Sequence, residues 1–373
     1  MADKFSLKDH LFNPQTVDQL AQEYAAGVPH FDPQKFARAA LGGFDTRELM
    51  ARLEWLADCI EAQLAEGFDA MADQLEAAMP APLDPALQDD DFGHFIHAVP
   101  GILAVRHGLE AHRPRAMDLL YRATQRFSME FYIRAFLNRW PQETLAMLQK
   151  WVQDDNYHVR RLVSEGTRPK LPWAKSVDLT PDQTLPLLDI LHADPTRYVT
   201  RSVANHLNDL SKIRSDLVLE HLASWKAAGK QTAKELDWMT RHALRSLIKE
   251  GHPGAMMALG YDPDVPVTVD LDILTPTLAV GETLKFNCQV AAATDLPVLV
   301  DYRITFARPE GKQGSKVFKL KQGKATPSKP FGVSKAHKLK GDATTFRLYP
   351  GRHMVTVQVN GVDRAQACFE LTD

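Results

Sequence analysis

An arginine recurs every 40 residues in the middle of this chain, at Arg161, Arg201 and Arg241, and the residues around it recur as well. The phrase DDNYHVRRLV at 154–163 aligns without a gap over DPTRYVTRSV at 194–203. A fixed period of this size is typical of repeated helical units stacked side by side. We therefore predict a repeat array in the middle of the chain, and not one closed core.

A period of 40 residues fits HEAT-like units, each of which contains two helices. One such unit cannot bury its own apolar face, so neighbouring units stack into an array with a long concave face, which serves as a binding surface. The helical pairs are predicted at Ala116–Arg126 with Glu130–Trp140, Gln142–Gln153 with Tyr157–Glu165, Asp182–His192 with Tyr198–Leu210, and Asp216–Ala228 with Ala233–Glu250.

The segment before the repeats is also predicted to be helical. Apolar residues recur there on one helical face, at Leu49, Leu53, Leu56, Ile60 and Leu64. Since 373 residues exceed what one core usually organises, we divide the chain into three parts. These are a helical cap at 1–93, HEAT-like repeats at 94–262, and a different C-terminal domain at 263–373.

The C-terminal part changes to short, alternating stretches rich in β-branched residues, separated by glycines. About seven short strands in this length are typical of an immunoglobulin-like sandwich. The chain lacks the Cys-Trp-Cys pattern of antibody domains, although Cys288 and Cys368 are placed to occupy the two inner faces. The predicted fold is multidomain α + β, with an N-terminal α-helical HEAT-like repeat solenoid followed by a C-terminal all-β Ig-like sandwich.

Composition restricts the class of protein. No stretch approaches the roughly 18 apolar residues of a membrane span, and the N-terminus leads into polar sequence without the core of a signal peptide. We expect a cytoplasmic protein that has no contact with membranes. Cys59, Cys288 and Cys368 lack metal-ligand spacing, so we interpret all three as buried thiols, with no disulfide and no metal.

Positive charge is concentrated between residues 311 and 347. This segment contains ten Lys and Arg residues and one aspartate, so its local charge is +9 in a chain whose net charge is −3. Lysines of this kind can keep a sheet edge soluble. The density of charge, together with the Gly, Pro and Ser content, favours instead a loop that binds a polyanion.

The densest chemistry lies between residues 126 and 174. Residues 130–136 read EFYIRAF, and residues 158–173 read HVRRLVSEGTRPKLPW. These two segments resemble the "EF-x-IR-x-F" helix and the "HVRRL-x-SEG-x-RP-x-LPW" segment of the AlkC branch of the HEAT-like repeat DNA alkylation-repair glycosylases. Some members of that branch also carry a C-terminal Ig-like domain, so the resemblance extends to nearly the whole chain.

The resemblance implies monofunctional hydrolysis of the N-glycosidic bond of cationic bases, chiefly 3-methyladenine and 3-methylcytosine, in duplex DNA. It also implies that the lesion is held without full flipping and that no cofactor is needed. The chemistry is consistent, because a base that already carries a positive charge leaves without a general acid. The enzyme has to stabilise the oxocarbenium-like sugar and an attacking water, and carboxylates do that.

By position in the family motifs, the catalytic residues are predicted to be Glu130, Glu165 and Trp173, with Trp173 supplying an aromatic face near the lesion. Each glutamate has a simpler interpretation. Glu130 begins a helix, where a carboxylate interacts favourably with the helix dipole, and Glu165 ends one, where it is often solvated or capping. If Val159 aligns with Ile133, the two glutamates lie roughly 13 Å apart along parallel helices.

Phosphate contacts are predicted for cationic residues of both parts of the chain. In the sandwich these are the lysines of the basic loop, and in the repeats they are the arginines and a lysine of the HVRR and RPK segments together with Arg201. An alternative for Arg161 and Arg201 is structural pairing with Asp154 or Asp194, while Arg168 is the strongest candidate for DNA contact. The predicted DNA-binding set is Arg160, Arg161, Arg168, Lys170, Arg201, Lys319, Lys321, Lys324 and Lys338.

Two other functions are compatible with this architecture, because a fold alone does not define an activity. One is a catalytically inactive DNA-binding HEAT-repeat protein, and the other is a HEAT and Ig-like scaffold for protein interactions. The SEG-x-RP-x-LPW segment and the lysines favour the glycosylase and the inactive DNA-binding protein over the scaffold. We expect a monomer that binds double-stranded DNA containing alkylated bases and needs no obligate protein partner.

Overall fold

The structure is a computed structural model, and it describes residues 5–87, 89, 91–341 and 347–372. Helices occupy the described chain up to Ala258, and strands begin at Val267. The predicted fold class, a helical region followed by an all-β region, is therefore confirmed. Among the described residues, no helix combines the length and the apolar content that a membrane span requires.

Sixteen α-helices lie in the described part of the chain. They are α1 Leu7–Leu11, α2 Pro14–Gly27, α3 Pro33–Gly42, α4 Leu49–Glu61, α5 Phe68–Ala77, α6 Val99–Leu103, α7 Arg113–Ala123, α8 Glu130–Arg139, α9 Pro141–Trp151, α10 Tyr157–Gly166, α11 Pro181–Leu191, α12 Arg197–Ser211, α13 Ser215–Ala228, α14 Ala233–Ala243, α15 Arg245–Glu250 and α16 Pro253–Ala258. Helices α7 to α13 match the predicted helices to within three residues at each end, whereas the last predicted helix, Ala233–Glu250, is divided into α14 and α15.

The 40-residue repeat has a simple physical basis. Three residues one period apart, Val159, Val199 and Met239, are each fully buried. The turn before the second helix also repeats, because the carboxylates of Asp154 and Asp194 each accept a 2.8 Å hydrogen bond from the backbone N–H two residues later. The same apolar contact and the same turn thus recur in successive units.

The N-terminal helices follow the predicted apolar pattern. In α4, Leu53, Leu56 and Ile60 are fully buried, while Leu64 lies beyond the end of the helix. Helix α2 begins with a capping box, in which the Asn13 side chain accepts from the backbone N–H of Thr16 and the Thr16 hydroxyl accepts in return. Helix α4 has no side-chain cap, so its apolar face is the feature that the sequence pattern and the structure share.

The chain forms two compact units that differ from the three predicted parts. The first contains residues up to Leu210 together with Trp225–Glu235, and the second contains Ser211–Ser224 and residues from Leu236 onward. Within the second unit, Met256 and Tyr261 pack with Leu299 of the β region. The last helical segment thus shares a core with the strands that follow it.

Eight strands form two sheets in the second unit. They are β1 Val267–Ile273, β2 Thr277–Ala279, β3 Thr283–Ala292, β4 Leu296–Ala307, β5 Gln313–Ala325, β6 Phe331–Lys338, β7 Gly351–Val359 and β8 Val362–Thr372. One sheet has the order β1-β3-β6 and the other β2-β8-β7-β4-β5. All pairs are antiparallel except β2 with β8. Residues such as Phe286, Tyr302 and Val355 alternate inward and form the core between the sheets.

Two details of the sequence prediction are wrong in this region. Cys288 is buried as expected, but Cys368 is exposed, because it alternates with the buried Phe369 and so points to the other face of β8. The lysine-rich segment also does not form a loop. Its lysines lie mainly on β5 and β6, which are the edge strands of the two sheets.

Candidate active site

Helix α10 carries most of the predicted site, and its sequence explains why it folds there. The Asn156 side chain caps the helix by accepting from the backbone N–H of His158 at 2.9 Å. Val159, Leu162 and Val163 then fall on one face and are fully buried. This packing fixes the rotation of α10 and so determines where the polar residues between these positions point.

Arg161 joins the two predicted catalytic glutamates. Its Nη1 donates to the carboxylate of Glu130 and, at 2.8 Å, to the Ser128 hydroxyl, while its Nη2 lies 3.7 Å from Oε2 of Glu165. The guanidinium also stands over the Tyr198 ring at 4.6 Å. The predicted separation of about 13 Å is therefore wrong, since both carboxylates contact one guanidinium.

Glu165 is a buried carboxylate with both oxygens engaged. Only 4% of the residue is exposed, Arg168 Nη1 donates to Oε1, and the Ser202 hydroxyl donates to Oε2 at 2.6 Å. Burial opposes ionisation, but Arg161 and Arg168 outweigh it and hold the pKa of Glu165 below its ordinary value. The simpler interpretation of a solvated residue at a helix end is wrong.

Glu130 differs from Glu165 in having an available oxygen. It is the first residue of α8, where the helix dipole favours a carboxylate. Ser128, at 2.7 Å, and Arg161 both donate to Oε2, and no donor within the described ranges is placed on Oε1. The carboxylate is therefore oriented by two donors and retains one oxygen able to accept a further hydrogen bond.

Arg168 lies between two carboxylates. Besides Glu165, it contacts Asp209, with Nε and Nη2 each 3.0 Å from Oδ2. Burial lowers the pKa of Arg168, but Glu165 and Asp209 outweigh burial and raise it. The side chain is 11% exposed. These contacts differ from the open position that we expected for a phosphate ligand.

Arg134 is a structural residue of the site that the sequence analysis missed. It is fully buried in α8 and donates to the backbone carbonyls of Lys175 at 2.6 Å, Gly166 at 3.0 Å and Arg168 at 2.8 Å. Burial is the largest cause lowering the pKa of Arg134, to about 10. Arg134 thereby holds the segment after α10 in place. A charged residue inside the apolar EFYIRAF helix was the signal in the sequence that could have identified Arg134.

That segment ends in an exposed aromatic residue. Trp173 is 69% exposed and has a left-handed backbone, with φ of 61°. Left-handed backbone is uncommon for a bulky residue and is a feature from which function can be inferred. The sequence prediction placed an aromatic face here, and the side chain is available to contact a ligand.

Helix α12 supplies the residues that contact Glu165 and its neighbour Ser164. Ser202 donates to Glu165 and lies 3.0 Å from the Ser164 hydroxyl, and His206 Nδ1 lies 3.1 Å from the Ser164 carbonyl. Ser202 aligns with the apolar Leu162 in the repeat. Such a change from apolar to polar at a repeat position could have identified it in the sequence.

The other predicted DNA contacts in the repeats have varied environments. Arg160, not Arg161 or Arg201, pairs with Asp194, at 2.5 Å, and it also donates to the Asp154 carbonyl at 2.7 Å. Arg201 pairs with Asp89 at 2.5 Å. Lys170 is exposed. The expected structural pairing therefore exists, but its arginine is one residue earlier in the chain.

The predicted DNA contacts of the sandwich are all exposed. Lys319, Lys321 and Lys324 lie on β5, and Lys338 ends β6. Lys324 forms a 2.7 Å ion pair with Asp295. In the described part of the chain, no group of three or more His, Cys, Asp or Glu residues is placed to hold a metal ion.

Known proteins share this architecture. Residues 268–373 match the family described as the C-terminal Ig-like domain of the uncharacterised protein YhaZ. The chain is 31% identical to the uncharacterized protein YhaZ of Bacillus subtilis (strain 168) over 371 residues, which is 97% of this chain and 98% of that protein. It is also similar to Pseudomonas fluorescens alkylpurine DNA glycosylase AlkC, solved bound to DNA containing an abasic site analog. The TM-score is 0.86 and the identity 33%, with 99% of this chain and 100% of that chain covered.

These similarities extend over both parts of the chain. They confirm the predicted fold class, a helical repeat region followed by an all-β Ig-like sandwich. They also confirm the resemblance from which the two segments around Glu130 and Glu165 were interpreted. The chain belongs to the family that contains AlkC and YhaZ.

Proposed function

We propose that this protein is a monofunctional DNA glycosylase that removes cationic alkylated bases, chiefly 3-methyladenine and 3-methylcytosine, from duplex DNA. The full-length similarity to an alkylpurine DNA glycosylase supports this function. The observation that carries the proposal is the convergence of Glu130 and Glu165 on Arg161. Such a convergence provides oriented carboxylates for a reaction whose transition state is positively charged.

In the proposed reaction, the bond between C1′ and the base nitrogen breaks, and its electron pair neutralises the departing base. Positive charge then develops on the sugar, and the oxygen of a water molecule bonds to C1′ while a proton leaves that water. The products are the free base and an abasic site. Since the leaving base is already cationic, the protein needs no general acid.

The two glutamates have different roles in this proposal. Glu130 has Oε1 available and its orientation fixed by Ser128 and Arg161, so it orients the attacking water and faces the developing charge. Glu165 has both oxygens occupied. It acts by holding Arg161 and Arg168 in place, and its negative charge offsets theirs.

Contacts to the DNA come from the remaining predicted residues. The exposed Trp173 supplies an aromatic face for the lesion, and the lesion remains largely in the duplex. Lys170 and Arg201 contact phosphates, and Lys319, Lys321, Lys324 and Lys338 hold the duplex from the sandwich. Arg160 and Arg168 support these contacts through their carboxylate partners and present less surface to DNA themselves.

Single-turnover release of 3-methyladenine and 3-methylcytosine from methylated duplex DNA tests the function. We expect Glu130→Gln to lower the rate by about 10²–10³-fold with DNA affinity retained, because it removes the charge without changing the shape. Glu165→Gln should lower both the rate and the thermal stability, because its charge is buried between arginines. The exposed Glu143, also in the first turn of a helix, provides the matched control Glu143→Gln.

One observation favours a second candidate, a DNA-binding protein without catalysis. Each of the three carboxylates of the candidate site, those of Glu130, Glu165 and Asp209, is paired with an arginine, as in a purely structural ion network. Tight binding of methylated duplex without base release would establish that function and overturn the glycosylase. Equal rates for the wild type, Glu130→Gln and Glu143→Gln would remove Glu130 from the reaction.

The role of the sandwich lysines has a separate test. Replacing Lys319, Lys321, Lys324 and Lys338 with Gln should weaken DNA binding and reduce its dependence on salt. Each lost phosphate contact changes the slope of log K against log[salt] by about 0.9. An unchanged slope would remove these lysines from the DNA interface.

A further inference from the structure

A cavity of about 200 Å³ lies within the second compact unit, away from the residues of the candidate active site. Its walls come from α14 and α15, the segment after α16, and strands β4 and β5. Four cationic residues line it, namely Arg241, Arg245, Lys249 and Lys319. Arg241 is the third arginine of the 40-residue repeat, and the proposed reaction gives it no role.

The sequence explains how these charges come together. Arg241, Arg245 and Lys249 are spaced by four residues, which places them on one face of the consecutive helices α14 and α15. Lys319 reaches the same cavity from β5. Arg241, Lys249 and Lys319 bring three positive charges to the cavity, and its lining has one carboxylate, Asp301, so the lining favours an anion.

Asp301 is the second observation that indicates a ligand. It lines the cavity, only 6% of it is exposed, and its Oδ1 has no hydrogen-bond partner in the described structure. A β-bulge at this residue changes the register between β4 and β5. Bulges often re-aim a side chain beside a functional site.

An unpartnered oxygen in a buried carboxylate is unfavourable. Burial raises the pKa of Asp301 to about 6, although the backbone N–H of Leu320 and the charge of Lys319 oppose that rise. A ligand with an N–H group would complete the hydrogen bonding of Oδ1. The cavity thus calls for both an anionic group and a hydrogen-bond donor.

The rest of the lining is apolar. Ile248 and Leu259 lie on the helical side, and Leu299 and Val317 lie on the strands. A volume of about 200 Å³ is below the roughly 300–1,000 Å³ of pockets that enclose a whole drug-sized ligand. It is suited to one ring of a ligand, with an anionic group left at the exposed cations.

We propose that this cavity binds a mononucleotide. The base packs against the apolar side chains and donates an N–H to Oδ1 of Asp301, while the phosphate lies among Arg241, Lys249 and Lys319. The proposal concerns a second site and does not depend on the glycosylase activity. A phosphate group could also come from the backbone of DNA, so the test separates these two sources.

Isothermal titration of the full-length protein with deoxyadenosine 5′-monophosphate, and separately with inorganic phosphate, measures the binding. We expect saturable binding of the nucleotide, at least tenfold tighter than that of phosphate. Lys249→Gln and Lys319→Gln should each weaken nucleotide binding about tenfold, since hydrogen bonds to charged groups are of that strength. Both lysines are exposed, so these variants should fold normally.

Asp301→Asn distinguishes base recognition from simple attraction of an anion. It should weaken binding of the nucleotide, because the amide is a poorer acceptor, while binding of inorganic phosphate stays equal or tightens as a negative charge is removed. Lys324→Gln is the matched control, because Lys324 lies on the same strand but does not line the cavity. It should leave nucleotide binding unchanged.

Three results would overturn the proposal. They are no saturable nucleotide binding, equal affinity for nucleotide and inorganic phosphate, and equal loss of binding in Lys319→Gln and Lys324→Gln. If the mononucleotide does not bind and Lys249→Gln weakens binding of unmethylated duplex DNA, the phosphate comes from DNA and a small-molecule site is excluded. Lys249 makes this distinction because it is not among the residues already proposed to contact DNA.

Discussion

Substitution of His206 by Asn should remove a specific part of the acid sensitivity of this protein. His206 is fully buried, with Nδ1 3.1 Å from the Ser164 carbonyl and Nε2 without a partner among the described residues. Burial is the main cause that lowers the pKa of His206, from 6.5 to about 3. The charges of Arg168 and Arg134 act in the same direction. The imidazole is therefore neutral in the folded protein at neutral pH.

The sign of the effect follows from proton binding. Below pH 6.5 the unfolded chain takes up a proton at this histidine while the folded protein does not, so acid favours unfolding. The contribution is absent above about pH 7, grows as pH falls, and levels off below about pH 3. A shift of about 3.5 units at 1.36 kcal/mol per unit gives about 5 kcal/mol in total. Between pH 6.5 and 5 it is about 2 kcal/mol.

Urea unfolding at pH 7.5, 6 and 5 measures this contribution. At pH 7.5, His206→Asn should be less stable than the wild type, because the smaller side chain leaves a cavity while its amide can still donate to Ser164. The wild type carries the histidine and the variant does not. The difference in the free energy of unfolding between them should therefore shrink by about 2 kcal/mol by pH 5. His30→Asn is the matched control at an exposed histidine. If the difference in the free energy of unfolding between the wild type and His206→Asn stays constant from pH 7.5 to 5, the reasoning is refuted.

Three further substitutions test the candidate site. Arg161→Lys keeps the charge but cannot reach both glutamates, so thermal stability and single-turnover base release should both fall, the latter at least about tenfold; a normal rate would show that the bridge is dispensable. Ser202→Ala removes the 2.6 Å hydrogen bond to Glu165 and should lower the free energy of unfolding in urea by about 1–3 kcal/mol, and no loss would mean that Glu165 is satisfied without it. Gly166→Ala would place a Cβ 2.5 Å from Cγ2 of Ile133 and should cost about 1–3 kcal/mol. The cost should be smaller when Gly166→Ala is made in an Ile133→Ala background, which lacks Cγ2; an equal cost in both backgrounds would mean that the contact is not the cause.

Much of the helical region could be predicted from the sequence because its signals are local and repeated. Val159, Val199 and Met239 hold equivalent buried positions, so one period defines three helices. The motif segments also gave Glu130 and Glu165, which the structure brings to one guanidinium. Both residues were identified by their position in the family motifs, because periodicity specifies which face of a helix is buried but not which polar residues meet.

The partners of the charged side chains were less predictable. Arg160 and Arg161 are adjacent, and one pairs with Asp194 while the other pairs with Glu130. Adjacent residues on a helix point about 100° apart, so an error of one position changes the partner completely. The repeat alone does not determine that rotation, because it depends on the packing of the neighbouring helices.

In the sandwich, the errors concern the faces and the edges of the sheets. Phe369 and Leu371 are buried on β8, so Cys368, which directly precedes Phe369, points to the opposite face and is exposed, and this alternation was already present in the sequence. That β5 and β6 are both edge strands depends on the pairing of distant strands, which no local pattern specifies. The edge position agrees with the solubility role of lysines, and it leaves the same lysines exposed for a polyanion.

The charge of the candidate site explains why it should affect DNA only when the two are in direct contact. Glu130, Glu165 and Asp209 carry three negative charges, and Arg161, Arg168 and Arg134 carry three positive charges, so the cluster is neutral as a whole. A neutral cluster attracts little from a distance, and its effect depends on the one oriented carboxylate oxygen that it leaves available. In the proposed function, attraction of the polyanion comes instead from the exposed lysines of β5 and β6. In the proposed function, affinity for DNA and reaction at the lesion therefore depend on different parts of the chain, so that screening by salt weakens the first and leaves the second largely unchanged.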